Sequence, residues 1–432
     1  MSEKVVKPGY KKTEVGVIPE DWGVVPLLAC LLRTPEYGIN APSVEYDGSP
    51  PTYLRITDIS DDNRFKPSPR VSVKHPSAES FYLSEGDLVF ARTGASVGKS
   101  YLYNTNDGEL VFAGYLIRVK INLTVLEPSF LSYYVQSKRY WDWVATMSIR
   151  SGQPGINGQE YGSLHIPLPP LPEQHAIAAA LSDADGLIGA LDALIEKERA
   201  IKQAAMQQLL TGRTRLPGFV GEWETKRLGD IITFLPTANN PRADLNDSGE
   251  IQYIHYGDVH AQAEPVLDCN VCALPYIDRG KIGNAAYLKD GDLIMVDASE
   301  DLEGTGKSVE IQGVIGKDVV AGLHTILCRG NPDQWARVYK AYLQFIPAFK
   351  LALTRIVTGI SVYAISKKQF AEIELALPPL PEQRAIATVL SEMDAEITAL
   401  EHRLEKARQI KQGMMQQLLT GKVRLVTPEV AG

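Results

Sequence analysis

Apolar residues follow two different periods along this chain. In one stretch Ile386, Leu390, Met393, Ile397, Leu400, Leu404, Ala407, Lys411, Met414 and Leu418 alternate four- and three-residue spacings. That is a heptad stripe on a helix, with one lysine whose charged tip escapes the seam. An earlier stretch carries Ile177, Leu181, Ala184, Ile188, Leu191 and Ile195, and its register then shifts toward Leu194, Ile201, Ala205 and Leu209. Pro172 and Pro381 suit a first helical turn, and Gly212 and Gly421 suit its end. Each helix then spans about 38 residues, roughly 57 Å at 1.5 Å per residue. Gly186 and Gly189 weaken the first one, so partner packing must help hold it. A long, narrow apolar stripe meets another such helix.

Elsewhere the period is that of short strands. Tyr53–Ile56, Asp87–Phe90 and Leu110–Val119 read as β runs, as do Gln252–Tyr256, Asp292–Val296 and Val319–Leu327. Ser129–Val144 and Gln334–Thr354 fit helices, with Gly, Pro, Asn and Asp punctuating the rest. Each half therefore reads as an α+β domain with a predominantly β recognition structure.

The chain is written twice. LPPLPEQ stands at 168–174 and again at 377–383, and the match continues without a gap at an offset of 209 residues through IKQAAMQQLLTG and IKQGMMQQLLTG. Weaker echoes precede it: YLSEGDLVF with YLKDGDLIM, Ala113-Gly114 with Ala321-Gly322, and Trp22 with Trp223. The expected organisation is a first recognition domain at 1–167, a central spacer helix at 168–212, a second recognition domain at 213–376, a C-terminal spacer helix at 377–421 and a tail at 422–432. The second domain must return the chain from the end of one helix to the start of the other. Antiparallel pairing makes that return simple, giving an antiparallel coiled coil with internal pseudo-two-fold symmetry.

Composition narrows the function. At 432 residues, with 44% hydrophobic and 22% charged, the chain suits two substantial cores. MSEKVVKPGYKKTEVG lacks the apolar run of a signal peptide and no segment approaches a membrane span, so a cytoplasmic location is expected. Four cysteines do not make a disulfide framework. A net charge of −8 argues against simple DNA coating, which rests on spare cations. Local groups still qualify for nucleic-acid contact: Arg64, Lys66, Arg70 and Lys74 in one polar segment, then Arg92 and Lys99.

The glycine-rich loops Ala91–Ser100 and Ala298–Ser308 each contain Gly-Lys-Ser, which offers backbone N–H groups, Lys99 with Ser100, and Lys307 with Ser308 to a phosphate. Arg92 suits either a phosphate or bidentate reading of guanine. Arg150, Gln153 and Asn157 form another polar group, and Lys367 and Lys368 occupy the related region of the second half. A solvated surface is the competing reading of each.

No catalytic, cofactor-binding or metal residue is assigned. A phosphate loop of the ATPase kind needs Gly-x4-Gly-Lys-Ser/Thr, and the first position is Thr93 in one copy and Asp301 in the other. Cys269 and Cys272, with His255 and His260 upstream, have metal-ligand spacing. A single Cys-x2-Cys without a counterpart in the other half favours ordinary semi-buried cysteines. Asp58 and Asp258 are echoed acids without a nuclease partner motif, and no Asn/Asp-Pro-Pro-Tyr/Phe methyltransferase motif occurs.

The two LPPLPEQ…QQLLTG segments and the domains before them resemble, over essentially the full chain, the specificity subunits of type I restriction–modification systems. The resemblance implies two target-recognition domains, each reading half of a bipartite duplex sequence, and helices that set their separation. It implies docking of two modification (methyltransferase) subunits for adenine methylation, with restriction-translocation subunits added for cleavage. S-adenosylmethionine, ATP and Mg would belong to those partners, and this chain would be a non-catalytic subunit. Pro172, Glu173 and Gln174, with Pro381, Glu382 and Gln383, correspond to the family's helix-start signature and are expected to be structural or docking residues. Two other readings stay open: a separate specificity subunit of a fused methyltransferase–nuclease, and a structural scaffold that does not bind DNA.

Overall fold

A computed structural model of the chain describes residues 6–48, 51–149, 153–302, 304–359 and 362–426. Its two longest elements are helices of 39 residues, Leu171–Leu209 and Leu380–Leu418. Each begins one residue before its proline, where a missing N–H costs nothing. Each ends at a glycine in the left-handed region, Gly212 at φ +67° and Gly421 at φ +65°. An added Cβ would meet Trp223 at the first and Pro19 and Trp22 at the second, so both stops require glycine.

Ile177, Leu181, Ile188, Leu191, Ile195 and Leu209 are buried on the first helix, and Ile386, Leu390, Ile397, Leu400, Leu404, Ala407 and Leu418 on the second. The expected register shift does not occur. Leu194 and Ile201 are exposed, at 37% and 42%, while the seam passes unbroken from Ile195 through Lys202 and Ala205 to Leu209. A lysine can hold a seam position here because its ammonium is answered by an acid: Lys202 pairs with Asp394, as Lys411 pairs with Asp185 at 2.7 Å. A Cβ added at Gly186 or Gly189 meets nothing, so neither glycine serves close packing.

The chain divides into two compact units, Met1–Asp192 with Arg403–Gly432, and Ala193–His402. In the first, Asp185 and Asp192 of the first helix meet Lys411 and Arg408 of the second. In the second, Arg199 and Lys202 meet Glu401 and Asp394. One residue number rises as the other falls, so the helix segments are antiparallel in both units, as a coiled coil.

The globular part of the first unit carries a sheet of four strands in the order Glu36–Tyr37, Leu116–Lys120, Asp87–Ala91 and Ser100–Leu102. A second four-stranded sheet contains the parallel pair Thr52–Leu54 and Leu110–Phe112. The second unit repeats these parts. Ile232–Leu235, Thr325–Gly330, Leu293–Val296 and Ser308–Gln312 are neighbours in one sheet, which Val266–Asp268 extends. Ile251–Ile254 and Asp318–Ala321 form the parallel pair. Each run read as one long strand, Leu110–Val119 and Val319–Leu327, is two strands in different sheets, broken at Ala113-Gly114 and Ala321-Gly322. The expected helix Ser129–Val144 is likewise split, into Pro128–Tyr134 and Lys138–Met147, where Ser137 caps the second piece. In the second unit Tyr339–Phe345 is a 3-10 helix and Pro347–Ile356 an α-helix, since Pro347 can begin a helix but cannot continue one. The echoed acids cap short turns: Asp58 accepts from Arg55 N at 2.8 Å and Asp258 from His255 N at 2.9 Å.

Candidate nucleic-acid interface

Both Gly-Lys-Ser loops fold inward. Gly98 has φ +91°, its carbonyl accepts from Tyr140 Oη at 2.7 Å, and a Cβ there would strike Val144 at 2.8 Å. Lys99 Nζ lies 2.5 Å from Asp61, and Lys307 Nζ donates to the His260 carbonyl at 2.7 Å. Ser100 and Ser308 are strand residues with 1% and 0% exposure, so neither hydroxyl faces solvent. Gly98 N and Gly306 N donate to the carbonyls of Ala91 and Val296. These loops are closed by their own hydrogen bonds.

Arg64 and Lys66 are exposed and share Asp62 at 3.3 and 3.4 Å. With Asp61, the partner of Lys99, they line a cleft of about 1060 Å³ in the first unit whose other wall holds Tyr133, Asp185, Arg408 and Lys411. The cleft is mixed in charge.

Arg92, Gln153 and Asn157 come together elsewhere. Thr93 bridges Gly155, Ile156 N donates to the Arg92 carbonyl at 2.9 Å, and Gly94 N donates to Pro154. Gln153 and Asn157 are exposed, and the Asn157 side chain caps the turn Gly158–Gly162. The Arg92 guanidinium stands 5.0 Å from the Tyr37 ring and 6.0 Å from that of Tyr115. Both rings are exposed, at 43% and 58%. Such faces attract a cation and hold its plane. Neither tyrosine was singled out from the sequence. They lie far apart in the chain without a motif, although Tyr115 directly follows the echoed Ala113-Gly114. Arg150 lies outside the described residues.

In the second unit Lys367 is exposed at the start of a turn that Ser366 caps. Nearby Asp297 is 3.5 Å from His324 Nδ1. Burial pushes the Asp297 carboxyl above the usual carboxylate range, while His324 and Lys367 pull it back. Burial also lowers His255 and His260, which pack around the Tyr256 ring with His324.

The helix-start residues split by type. Pro172 and Pro381 are exposed, whereas Glu173, Gln174, Glu382 and Gln383 are all buried. Glu173 accepts from Trp22 Nε1 at 2.9 Å and from Arg424 Nε at 2.6 Å. Glu382 accepts from Trp223 Nε1 at 3.2 Å and Arg215 Nε at 2.5 Å. Gln174 ties Glu127 N, the Val125 carbonyl and the Pro169 carbonyl together, and Gln383 does the same for Ala336 N, the Gln334 carbonyl and the Pro378 carbonyl. These four side chains are committed within the chain.

Among the described residues no group of His, Cys, Asp and Glu is placed to hold a metal, and no helix is long and apolar enough to cross a membrane. Cys269 is buried and Cys272 half-buried, with its Sγ against Gln262.

Comparison with known proteins places these parts in a family. The model of the type I restriction modification DNA specificity domain matches residues 59–198 and 221–412. The chain is 27% identical over 446 residues, 97% of either protein, to a Methanocaldococcus jannaschii relative whose name, type I restriction enzyme MjaX specificity subunit, is provisional. It is 23% identical to the EcoKI specificity subunit of Escherichia coli K12, covering 91% of this chain and 86% of that one. In fold it resembles the type I S subunit from M. genitalium, with TM-score 0.58 and 15% identity over 92% of this chain and 96% of that one. A structure from work on assembly of the type I R-M system gives TM-score 0.57 at 18% identity, over 94% and 99%. With its family model matched in both halves, this chain belongs to the type I restriction–modification DNA specificity family.

Proposed function

We propose that this chain is the specificity subunit of a type I restriction–modification complex, reading a bipartite duplex sequence with one unit for each half-site. The observation that carries the reading is that two units are built from the same strands, caps and helix-start bonds yet present different side chains at matching loops. A helix of 39 residues, roughly 58 Å long at 1.5 Å per residue, is long enough to serve as a spacer for half-sites a fixed gap apart.

Arg64, Lys66, Arg92, Lys99, Gln153, Asn157, Lys307 and Lys367 are proposed to contribute phosphate or base contacts, together with Arg150. Ser100 and Ser308 support the loops from within. A chain of net charge −8 needs partners to complete a DNA clamp, which fits docking of modification subunits that bring the methyl donor. Glu173, Gln174, Glu382 and Gln383 act by holding the helix starts to which such partners dock.

The test is a map of DNA methylation after co-expression with the neighbouring modification subunit in a host lacking other methyltransferases. Adenine methylation at a two-part sequence, absent without this chain, is expected. A soluble complex that methylates nothing would sink the proposal. A partner that proves to be a methyltransferase–nuclease fusion would move the chain to the alternative system.

A further inference from the structure

Arg92 and Asp297 occupy the same place in the two units. Each directly follows the central strand, Asp87–Ala91 or Leu293–Val296. Arg92 N donates to the Tyr115 carbonyl at 3.1 Å, and Asp297 N to the His324 carbonyl at 3.2 Å. The Arg92 carbonyl accepts from Ile156 N at 2.9 Å, and that of Asp297 from Ile365 N at 2.8 Å. The next residues form matching antiparallel bridges, Thr93 to Gly155 and Ala298 to Ala364. Asn157 and Ser366 then cap matching turns. The backbone is the same and the side chains are opposite in charge.

Both side chains are half-buried, and each keeps one buried polar atom without a hydrogen-bond partner among the described residues, Arg92 Nε and Asp297 Oδ1. Arg92 is steadied by the exposed rings of Tyr37 and Tyr115, and has no carboxylate partner among the described residues. Asp297 is 33% exposed beside His324, itself 48% exposed and held at φ +55°. A guanidinium presents paired donors that match guanine O6 and N7, and a carboxylate accepts from the exocyclic amino group of cytosine. A position kept only for phosphate would carry a cationic side chain in both units, and the second unit carries an aspartate there.

Resting on the reading of the chain as a DNA-specificity subunit, we propose that Arg92 and Asp297 are equivalent base readers. Arg92 reads a guanine in one half-site, and Asp297 reads a cytosine in the other. Tyr37, Tyr115 and His324 are positioning residues that fix the two groups. The modified sequence therefore contains a G·C pair in each half.

The experiment uses the complete methyltransferase complex of this chain and its modification subunits, with duplexes carrying each of the four base pairs at every recognised position. Arg92→Ala should lower affinity for the cognate duplex roughly 5- to 150-fold and abolish discrimination at one position of one half-site. Arg92→Lys, which keeps the charge and loses the fork, should relax the same position. Asp297→Asn should relax one position in the other half-site only. Equal weakening on all four duplexes by the Arg92 variants would make Arg92 a phosphate contact and overturn the proposal. So would an unchanged methylated sequence in all three variants, or a wild-type sequence with a half-site lacking a G·C pair. A wild-type complex with no sequence preference would instead overturn the function itself.

Discussion

The helix starts of the two units match residue for residue, whereas their loop tips share a backbone and differ in side chain. At the starts, Trp22, Glu173 and Arg424 in the first unit answer Trp223, Glu382 and Arg215 in the second. Tyr133 and Lys411 converge on Asp185, as Tyr342 and Lys202 do on Asp394. At the tips, Arg92 answers Asp297 and Tyr115 answers His324. A buried charge network tolerates little change, because removing one member strands the others without water. An exposed side chain on a fixed backbone can be exchanged at almost no cost in stability. The fold thus separates what must stay from what can vary.

The hardest way to break this equivalence is at the buried carboxylates. Glu173→Ala leaves Trp22 Nε1 without its acceptor and Arg424 with Asp21 alone, and should cost about 2–3 kcal/mol in chemical denaturation. Glu382→Ala should cost a similar amount. A large cost at one site with none at the other would show that the two starts are not energetic counterparts. A smaller loss, about 1–2 kcal/mol, is expected for Tyr133→Phe and Tyr342→Phe, each removing a hydrogen bond to a carboxylate. Burial holds the Tyr342 hydroxyl up at about 12, so it remains a donor at any neutral pH and its loss should be independent of pH there.

Gly186→Ala works in the opposite direction. The repeat places Ala395 at the matching position of the second helix, and the site has open space for a methyl group. A gain of about 0.5–1 kcal/mol in thermal or denaturant unfolding is expected. A loss would mean that the first helix uses this glycine for something its counterpart lacks.

The smallest effect is one of pH. Burial depresses His255 and His260 in the second unit, so the folded state prefers them neutral. The unfolded chain then binds more protons below its ordinary histidine value of about 6.5, and stability falls as pH drops through that range. Hydrogen exchange at pH 7.5 and 5.5 should show increased opening around these residues at the lower pH. Unchanged protection there would refute the linkage.

Much of this was legible because the repeat acts as its own alignment. It located both helix starts, both stops and the paired β runs. The seam of the first helix was misread at Leu194 and Ile201, since periodicity alone rejects a lysine from an apolar seam and cannot see the acid on the facing helix. The matching Lys411, already placed in the second stripe, was the available signal for Lys202. Ser100 and Ser308 looked like phosphate ligands by composition, but each begins a strand and is buried there. Tyr37 and Tyr115 carried no local signal. Only folding brings one edge strand and one turn to the same arginine.

The composition of the first unit also dictates an order of completion during synthesis. Residues 193–402 are continuous in the chain, whereas the first unit needs residues from 403 onward. Its core includes Leu418 and Leu419 against Trp22, Ile177 and Leu181, and Tyr10 Oη donates to the Gly421 carbonyl at 2.9 Å. On the ribosome the first unit must therefore wait for a segment made after the whole second unit, and until then the core around Ile177 and Leu181 lacks Leu418 and Leu419. Every residue of the second unit is in the chain before residue 403 is added, so this chain reverses the usual order in which domains are completed.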